Sequence, residues 1–177
     1  MPTIGVAIAV PEPYGEQLRG LRASFGDLQA ADIPTHVTLL PPSQVDDDAL
    51  ERVEEQLERV ADKHSSFDMR LRGTATFRPI SPVVFVVVSQ GISQCEMLAE
   101  SLRDELEVPP AAFPYHPHVT VAHDVPDDAL DLAYDTLSSY DAHFSVDAFS
   151  LYVHDPRAGW ECVRELHLRG SSSQPWR

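Results

Sequence analysis

The stretch Thr35-His36-Val37-Thr38-Leu39-Leu40 recurs in nearly the same form as Pro117-His118-Val119-Thr120-Val121-Ala122. Each copy holds a His-Val-Thr triplet within β-branched and apolar residues, a composition typical of β-strands. Because side chains alternate between the faces of a strand, the histidine and threonine of each triplet share one face. Two such strands facing each other would collect two imidazoles and two hydroxyls in one cleft. These groups suit phosphate chemistry without a metal, since one imidazole can act as base, the other as acid, and the hydroxyls can hold phosphate oxygens.

The sequence around the two triplets repeats at nearly the same spacing, which is 82 residues from His36 to His118. An apolar run precedes each triplet, and an Asp-Asp-Ala-Leu segment follows each one. The matching segments are 4–10 with 83–88, and 47–50 with 127–130. Because the unit occurs only twice, it indicates an internal duplication and not a solenoid of many repeats.

Hydrophobic periodicity predicts the order strand, helix, motif strand, helix, strand in each half of the chain. In the first half the predicted elements are strand 3–10, helix 14–25, strand 36–40 closed by Pro41-Pro42, helix 47–62 and strand 67–77. In the second half they are strand 83–89, a helix opened by a Ser93–Glu96 capping box and ending near 106, strand 118–122, helix 127–138 and strand 143–153. A last strand over 160–168 would close the sheet, and residues 171–177 are expected to form a flexible tail.

Composition and charge limit the classes of function that this chain can serve. It has 177 residues, of which 43% are hydrophobic, and a formal net charge of −15. A protein that binds long nucleic acid usually has a basic surface stripe. A small phosphorylated ligand or an RNA end is therefore more compatible with this negative charge. Solubility or adaptation to salt is the alternative reading of the acidity. No stretch of about 18 apolar residues occurs, so no membrane span is expected, and the first residues show no signal-peptide pattern. The two distant cysteines, Cys95 and Cys162, indicate free thiols. We therefore expect a cytoplasmic protein that acts as a monomer.

The paired triplets, His36-Val37-Thr38 and His118-Val119-Thr120, and the duplicated order of elements resemble the two-histidine (2H) phosphoesterase superfamily. Within it, the chain is most similar to the bacterial 2′-5′ RNA ligase and cyclic phosphodiesterase branch, over roughly residues 3–168. The resemblance implies an α+β fold with two lobes, in which two pseudo-symmetric antiparallel sheets face a central cleft and helices lie outside. We therefore expect a single bilobal domain over 1–170, with repeat lobes near 3–80 and 83–168 that could exchange strands.

The resemblance also implies metal-independent phosphodiester chemistry, with His36 and His118 as the acid–base pair and Thr38 and Thr120 holding the phosphate. Two positions depart from many relatives. His123 stands where they carry arginine after the second motif, and Leu40-Pro41-Pro42 replaces the Phe-Leu-Gly that often follows the first motif. Both positions are expected near the rim of the cleft.

Further substrate-binding candidates surround the two motifs. Tyr115 and His116 precede the second triplet and could line the cleft, and His123 follows it. Arg78 could reach a phosphate from the cleft edge, or it could lie on a solvated face paired with carboxylates. Four aromatic residues could stack on a base or could belong to the core: Phe77, Tyr115, Tyr152 and Trp160.

A zinc site is an alternative to this chemistry, because His116, His118 and His123 lie close together in the sequence. No third ligand has a spacing that joins His116 and His118, so neither a metal nor another cofactor is expected.

The leading hypothesis is a cytoplasmic phosphoesterase that opens the 2′,3′-cyclic phosphate of an RNA end or a small nucleotide to a monoester, by resemblance the 2′-phosphate. One alternative is 2′-5′ RNA ligase activity at the same site. Another is a non-catalytic module that binds a nucleotide or an RNA end. Neither long nucleic acid nor a membrane is an expected partner.

Overall fold

The computed structural model describes residues 1–171, so the predicted tail at 171–177 lies outside the described residues except for its first residue. The elements are β1 Thr3–Ala9, α1 Tyr14–Ser24, a short 3-10 helix Leu28–Ala31, β2 His36–Gln44, α2 Leu50–Lys63, β3 Phe67–Thr76, β4 Val83–Gln90, α3 Ile92–Glu105, β5 His118–His123, α4 Asp127–Thr136, β6 Asp141–Val146, β7 Ala148–Asp155 and β8 Gly159–His167. No helix within residues 1–171 is long and apolar enough to cross a membrane.

The strands form two antiparallel sheets of four strands each, and this confirms the α+β class expected from the sequence. The first sheet has the order β2-β1-β7-β8, and the second has the order β5-β4-β3-β6. Each sheet takes strands from both halves of the chain, because β3 joins the second sheet while β7 and β8 join the first. Two of these three strands occupy matching places, since β3 pairs with β4 as β7 pairs with β1.

One continuous cluster of buried apolar side chains joins both sheets and all four helices. The apolar stripe of α2 shows how a helix contributes, because Val53, Leu57 and Val60 recur at helical spacing and are almost fully buried. Burying such side chains is the main favourable term in folding. The two sheets therefore share a common core, which holds the edge of one sheet at a fixed position relative to the edge of the other.

The first motif strand does not stop at Pro41-Pro42, as the sequence predicted, but continues to Gln44. β2 is an edge strand of the first sheet, with a neighbour on only one side. The register against β1 shifts on both sides of Val6, which accommodates the extra residues. Proline is tolerated at such an edge because its missing N–H need not serve a second neighbour.

The single strand predicted over 143–153 is wrong, because the structure has two strands there. β6 ends at Val146 at the edge of the second sheet, and β7 begins at Ala148 in the first sheet. Apolar alternation continues through the junction, so the pattern does not show that the chain changes sheets at Asp147.

The capping box predicted at Ser93 is also wrong. α3 begins at Ile92, and its N-cap is Gly91 with φ of 95° and no side-chain cap. A Cβ at this position would lie 3.1 Å from the carbonyl oxygen of Asp68 and 3.1 Å from the ring of Phe67. Glycine suits both the left-handed backbone and the lack of space, so the helix starts one residue before the predicted cap.

Candidate active site

The two His-Val-Thr triplets lie on edge strands of different sheets, and the fold brings those edges together. β2 and β5 are close neighbours. The hydroxyl of Tyr115, three residues before His118, donates a hydrogen bond to the carbonyl oxygen of Thr38 at 2.8 Å. The segment that enters the second motif strand is therefore attached directly to the first motif.

Both motif histidines make the same backbone hydrogen bond. Nδ1 of His36 lies 2.6 Å from the carbonyl oxygen of Pro34, and Nδ1 of His118 lies 2.7 Å from that of His116. Because a carbonyl oxygen only accepts, Nδ1 of each ring must carry the hydrogen and donate it. In the neutral rings, Nε2 is thus the nitrogen that can take up a proton, and two residues related by the duplication have the same tautomer.

The surroundings of both rings disfavour the charged imidazolium. Burial lowers the pKa of His36, and the positive charge of Arg22 lowers that pKa further, while the hydrogen bond to Pro34 opposes both effects. Burial also lowers the pKa of His118, with smaller contributions in the same direction from the charges of His116 and His36. A positive charge on His36 therefore disfavours protonation of His118.

Each motif strand carries a register shift directly after its threonine. In the first sheet Thr38 pairs with Ala7 but Leu40 pairs with Val6, so β2 advances two residues while β1 advances one. In the second sheet the shift follows the pairing of Thr120 with Phe85. Bulges of this kind re-aim side chains next to active sites. The matched position in the two strands is a further sign of the duplication.

The shift in β5 determines which face His123 occupies. Strict alternation from His118 would place His123 on the opposite face. In the structure His123 lies opposite Val83 on β4. Val83 shares a face of β4 with Phe85 and Val87. Phe85 lies opposite Thr120, and Val87 lies opposite His118. His123 therefore lies on the same face as the second motif, about one third exposed, with Nε2 3.3 Å from a carboxylate oxygen of Asp124.

Two phenylalanine rings hold the second motif in place. The rings of Phe77 and Phe85 lie 4.4 Å apart, measured between their centroids. The His118 ring lies 5.0 Å from Phe77 at 87°, and 5.1 Å from Phe85 at 60°. His116 also lies edge-on to both phenylalanines, 6.2 Å from His118. This packing fixes the His118 ring from its sides and places His116 beside it.

The first motif opens onto a cavity of about 150 Å³ on its own sheet. His36 and Thr38 form part of its wall, and Tyr152 and Trp160 form another part. The remaining lining is mainly apolar: Gly5, Val6, Ala7, Ile33, Pro34, Leu40 and Pro42. At the corresponding place on the second sheet, the rings of Phe77 and Phe85 pack beside the second motif.

Arg78 lies just beyond the end of β3, and its guanidinium contacts carboxylates of α4. It lies 2.9 Å from Asp131 and 3.8 Å from Asp127, and its Nε donates to the hydroxyl of Thr76. The structure thus places it in the carboxylate-paired arrangement that was one of the two readings of the sequence. Its role in binding phosphate stays a prediction, as does that of Tyr115.

A buried ionic network behind the first motif was not predicted from the sequence. Nε of Arg22 donates to Asp27 at 2.7 Å, and both side chains are more than nine-tenths buried. The same carboxylate accepts the backbone N–H of His123 at 3.0 Å, which ties the end of β5 to the segment after α1. The available signal was an arginine within the apolar stripe of the first helix.

No group of three or more His, Cys, Asp or Glu side chains is arranged to hold a metal ion among residues 1–171. His116 and His118 are neighbours, as their spacing predicts, but no third ligand joins them in this part of the chain.

Comparison with known proteins gives one family match and several similar sequences. A family model described as the 2′-5′ RNA ligase superfamily matches residues 10–158. A protein of Geobacillus kaustophilus named as a candidate phosphoesterase is 26% identical over 171 residues, which cover 96% of this chain and 98% of that protein. A similarly named protein of Bacillus mycoides is 23% identical over 93% of this chain and 96% of its own length.

Solved structures share the fold over nearly the full chain. TT0787 of Thermus thermophilus superposes with a TM-score of 0.66 at 22% identity, covering 97% of this chain and all of that one. Escherichia coli LigT in its apo form also gives 0.66, at 19% identity, over 95% of this chain and 98% of LigT. LigT has further been crystallised with 3′-AMP, with ATP and with NADP+.

Proposed function

The chain belongs to the 2′-5′ RNA ligase superfamily, and we propose that it is a metal-independent phosphoesterase that opens 2′,3′-cyclic phosphates of nucleotides or RNA ends. The observation that carries this proposal is the matched pair His36 and His118, each with Nδ1 held by a backbone carbonyl and Nε2 left for proton transfer. Binding alone needs no such acid–base pair, so this geometry favours an enzyme over a binding module. The nucleotide complexes of LigT support a nucleotide as the substrate class.

In the proposed reaction, one neutral motif histidine takes a proton from water as the water oxygen bonds to phosphorus. The protonated histidine of the other motif gives its proton to the ribose 3′-oxygen as the bond from phosphorus to that oxygen breaks. The product is the 2′-phosphate with a free 3′-hydroxyl. The hydroxyls of Thr38 and Thr120 share faces with the histidines and donate hydrogen bonds to the non-bridging oxygens, where negative charge accumulates. His116 and His123, on the same face as His118 or beside it, are proposed to contact the substrate.

The family description favours a second reaction at the same site. If the 5′-hydroxyl of another RNA replaces water as nucleophile, the same bond to the 3′-oxygen breaks and a 2′-5′ linkage forms. The net charge of −15 repels long polyanions over most of the surface, which favours hydrolysis of small substrates over joining of long ones. Free thiols at Cys95 and Cys162 fit the proposed cytoplasmic location.

The test is to incubate the protein with a nucleoside 2′,3′-cyclic phosphate in EDTA and to follow the product by phosphorus NMR. His36→Ala and His118→Ala should each lower kcat by about 10²–10⁴-fold, the contribution of a positioned acid or base. Thr38→Val and Thr120→Val, which remove only a hydroxyl, should each lower kcat by about 10²-fold.

His143→Ala is the matched control, because His143 lies exposed on β6, away from either motif strand, and this variant should keep wild-type turnover. Loss of turnover in EDTA, or full activity in either motif variant, would refute the two-histidine mechanism. Tight nucleotide binding by a wild type that never turns over would support the binding-module alternative.

A further inference from the structure

The two sheets differ at one pair of related positions beside the motifs. On the first sheet Ala7 lies opposite Thr38, whereas on the second sheet Phe85 lies opposite Thr120. Residues directly opposite each other in an antiparallel pair share a face. The duplicated site therefore has a methyl group on one side where it has a phenyl ring on the other.

The same contrast extends one step further along the sheets. Gly5 is two residues from Ala7 on β1 and lies opposite Tyr152, so both share the face of the first motif. Val83 takes the corresponding place on β4, opposite His123. The first sheet is thus lined by the two smallest side chains at positions where the second sheet has a valine and a phenylalanine.

This difference explains why the cavity lies at the first motif. On the second sheet Phe85 and Phe77 pack together and fill the space beside His118. On the first sheet the space stays open, and Trp160 lies over Gly5. A Cβ on Gly5 would be 3.4 Å from Cζ3 of the indole, so the absence of a side chain lets the ring lie close to the strand.

The lining of the cavity indicates what it can hold. It is mostly apolar, its walls include the rings of Tyr152 and Trp160, and its open volume of about 150 Å³ has room for a single flat ring system. At one end stand His36, assigned above to proton transfer, and Thr38, assigned above to the phosphate. A ligand that spans both parts must carry an apolar, stackable group close to a phosphate, which is the chemistry of a mononucleotide.

We propose that this cavity is a nucleobase subsite, in which the base of a single nucleotide stacks against Trp160 while its phosphate lies between the two motif threonines. The proposal rests on the proposed function for the position of the phosphate. Because stacking is tolerant of base identity and the lining offers few hydrogen-bonding groups, the subsite distinguishes nucleotides from base-free phosphates more strongly than it distinguishes one base from another.

Direct binding tests the subsite without any need for turnover. The sequence has two tryptophans, so Trp176→Phe leaves Trp160 as the only source of indole fluorescence. Titration with adenosine 2′-monophosphate should quench this emission, whereas ribose 5-phosphate and inorganic phosphate should not. Adding Ala7→Phe, which places on the first sheet the ring that the second sheet carries, should weaken nucleotide binding by roughly 5- to 150-fold, the range for loss of one stacked base.

Kinetics supply the second arm of the test. The ratio of kcat/KM for adenosine 2′,3′-cyclic phosphate to kcat/KM for glycerol 1,2-cyclic phosphate should fall by a similar factor in Ala7→Phe and in Trp160→Ala. Tyr134→Ala is the control, because it removes a partly exposed aromatic ring from α4 and should leave that ratio unchanged. Thermal melts of all variants show whether each one is folded.

The outcomes separate this inference from the proposed function. Turnover of cyclic phosphates without a base-dependent change in Trp160 emission, or an equal loss on both substrates in Ala7→Phe, would overturn the subsite and leave the phosphoesterase standing. Quenching by the nucleotide alone, in a protein that hydrolyses neither substrate, would support the subsite and refute the proposed reaction.

Discussion

At the scale of single residues, the catalytic proposal depends on how two imidazoles are held. Each Nδ1 donates to the carbonyl two residues earlier, so the backbone fixes the orientation and the tautomer of both rings. Burial lowers the pKa of both, which keeps them mostly neutral near pH 7. A bound phosphate anion would favour the charged form of one ring, so substrate binding itself helps to create the required state of one neutral and one protonated histidine.

This arrangement predicts the position of the pH–rate profile. In the proposed reaction the active form carries one proton on the two histidines, so kcat/KM should fall at low pH, when both rings are protonated, and at high pH, when neither is. Because both pKa values lie below the ordinary value of about 6.5, the optimum of kcat/KM should lie below about pH 6.5. The optimum of kcat should lie at higher pH, since the bound anion raises these pKa values. Initial rates at low and saturating substrate from pH 4.5 to 9 measure both profiles, and a kcat/KM optimum on the alkaline side of pH 7 would contradict this account.

At the scale of elements, the site is built where two edge strands meet, and a buried ion pair holds part of that junction. Arg22 lies on α1, Asp27 follows that helix, and the carboxylate of Asp27 also receives the backbone N–H of His123 at the end of β5. The network therefore connects a helix of the first half to the second motif strand. Its charged groups are almost fully enclosed, so each depends on the other for compensation.

Replacing Asp27 tests this connection. Asp27→Ala leaves the Arg22 guanidinium buried without its partner and should lower the free energy of unfolding by about 3–5 kcal/mol. Asp141→Ala is the matched control, because it breaks the exposed pair with Arg70 and should change stability little. Urea denaturation followed by circular dichroism measures both variants. Equal stability losses in the two would show that the buried network contributes no more than a surface pair.

At the scale of the whole molecule, the two sheets exchange strands and enclose one pseudo-symmetric site in a strongly acidic protein. β3 crosses into the second sheet and β7 into the first, so neither sheet is complete without residues from the other half. The symmetry is broken at Ala7 and Phe85, which leaves one side of the site open and the other filled. The acidic surface repels any anionic substrate that approaches this opening.

The net charge of −15 predicts how salt affects the reaction. Repulsion between the protein and an anionic substrate is screened by salt, so kcat/KM should rise between low ionic strength and about 0.15 M. The rise should be steeper for an oligonucleotide with a 2′,3′-cyclic phosphate end than for a mononucleotide, because more charge is repelled. Rates measured for both substrates across sodium chloride concentrations check this, and a fall of kcat/KM with salt would instead reveal a locally basic approach to the site.

The sequence by itself determined the fold class, the order of most of the elements and the residues proposed for chemistry. Alternation within each triplet is a local property of a strand, so the sequence alone pairs His36 with Thr38 and His118 with Thr120. The repeat at 82 residues pointed to two related halves. The local pattern was wrong where the outcome depends on neighbouring strands, as at Pro41-Pro42, at the junction of β6 and β7, and at the start of α3.

Only the tertiary structure decided which groups surround the motifs. The pairing register turns His123 onto the face of His118, although plain alternation predicts the opposite face. The contact between β4 and β5 sets Phe85 opposite Thr120, and the contact between β1 and β2 sets Ala7 opposite Thr38. Residues far apart in the chain make these contacts, and no local periodicity encodes them. Cross-strand packing therefore determines which side of a duplicated site is filled and which side can admit a ligand.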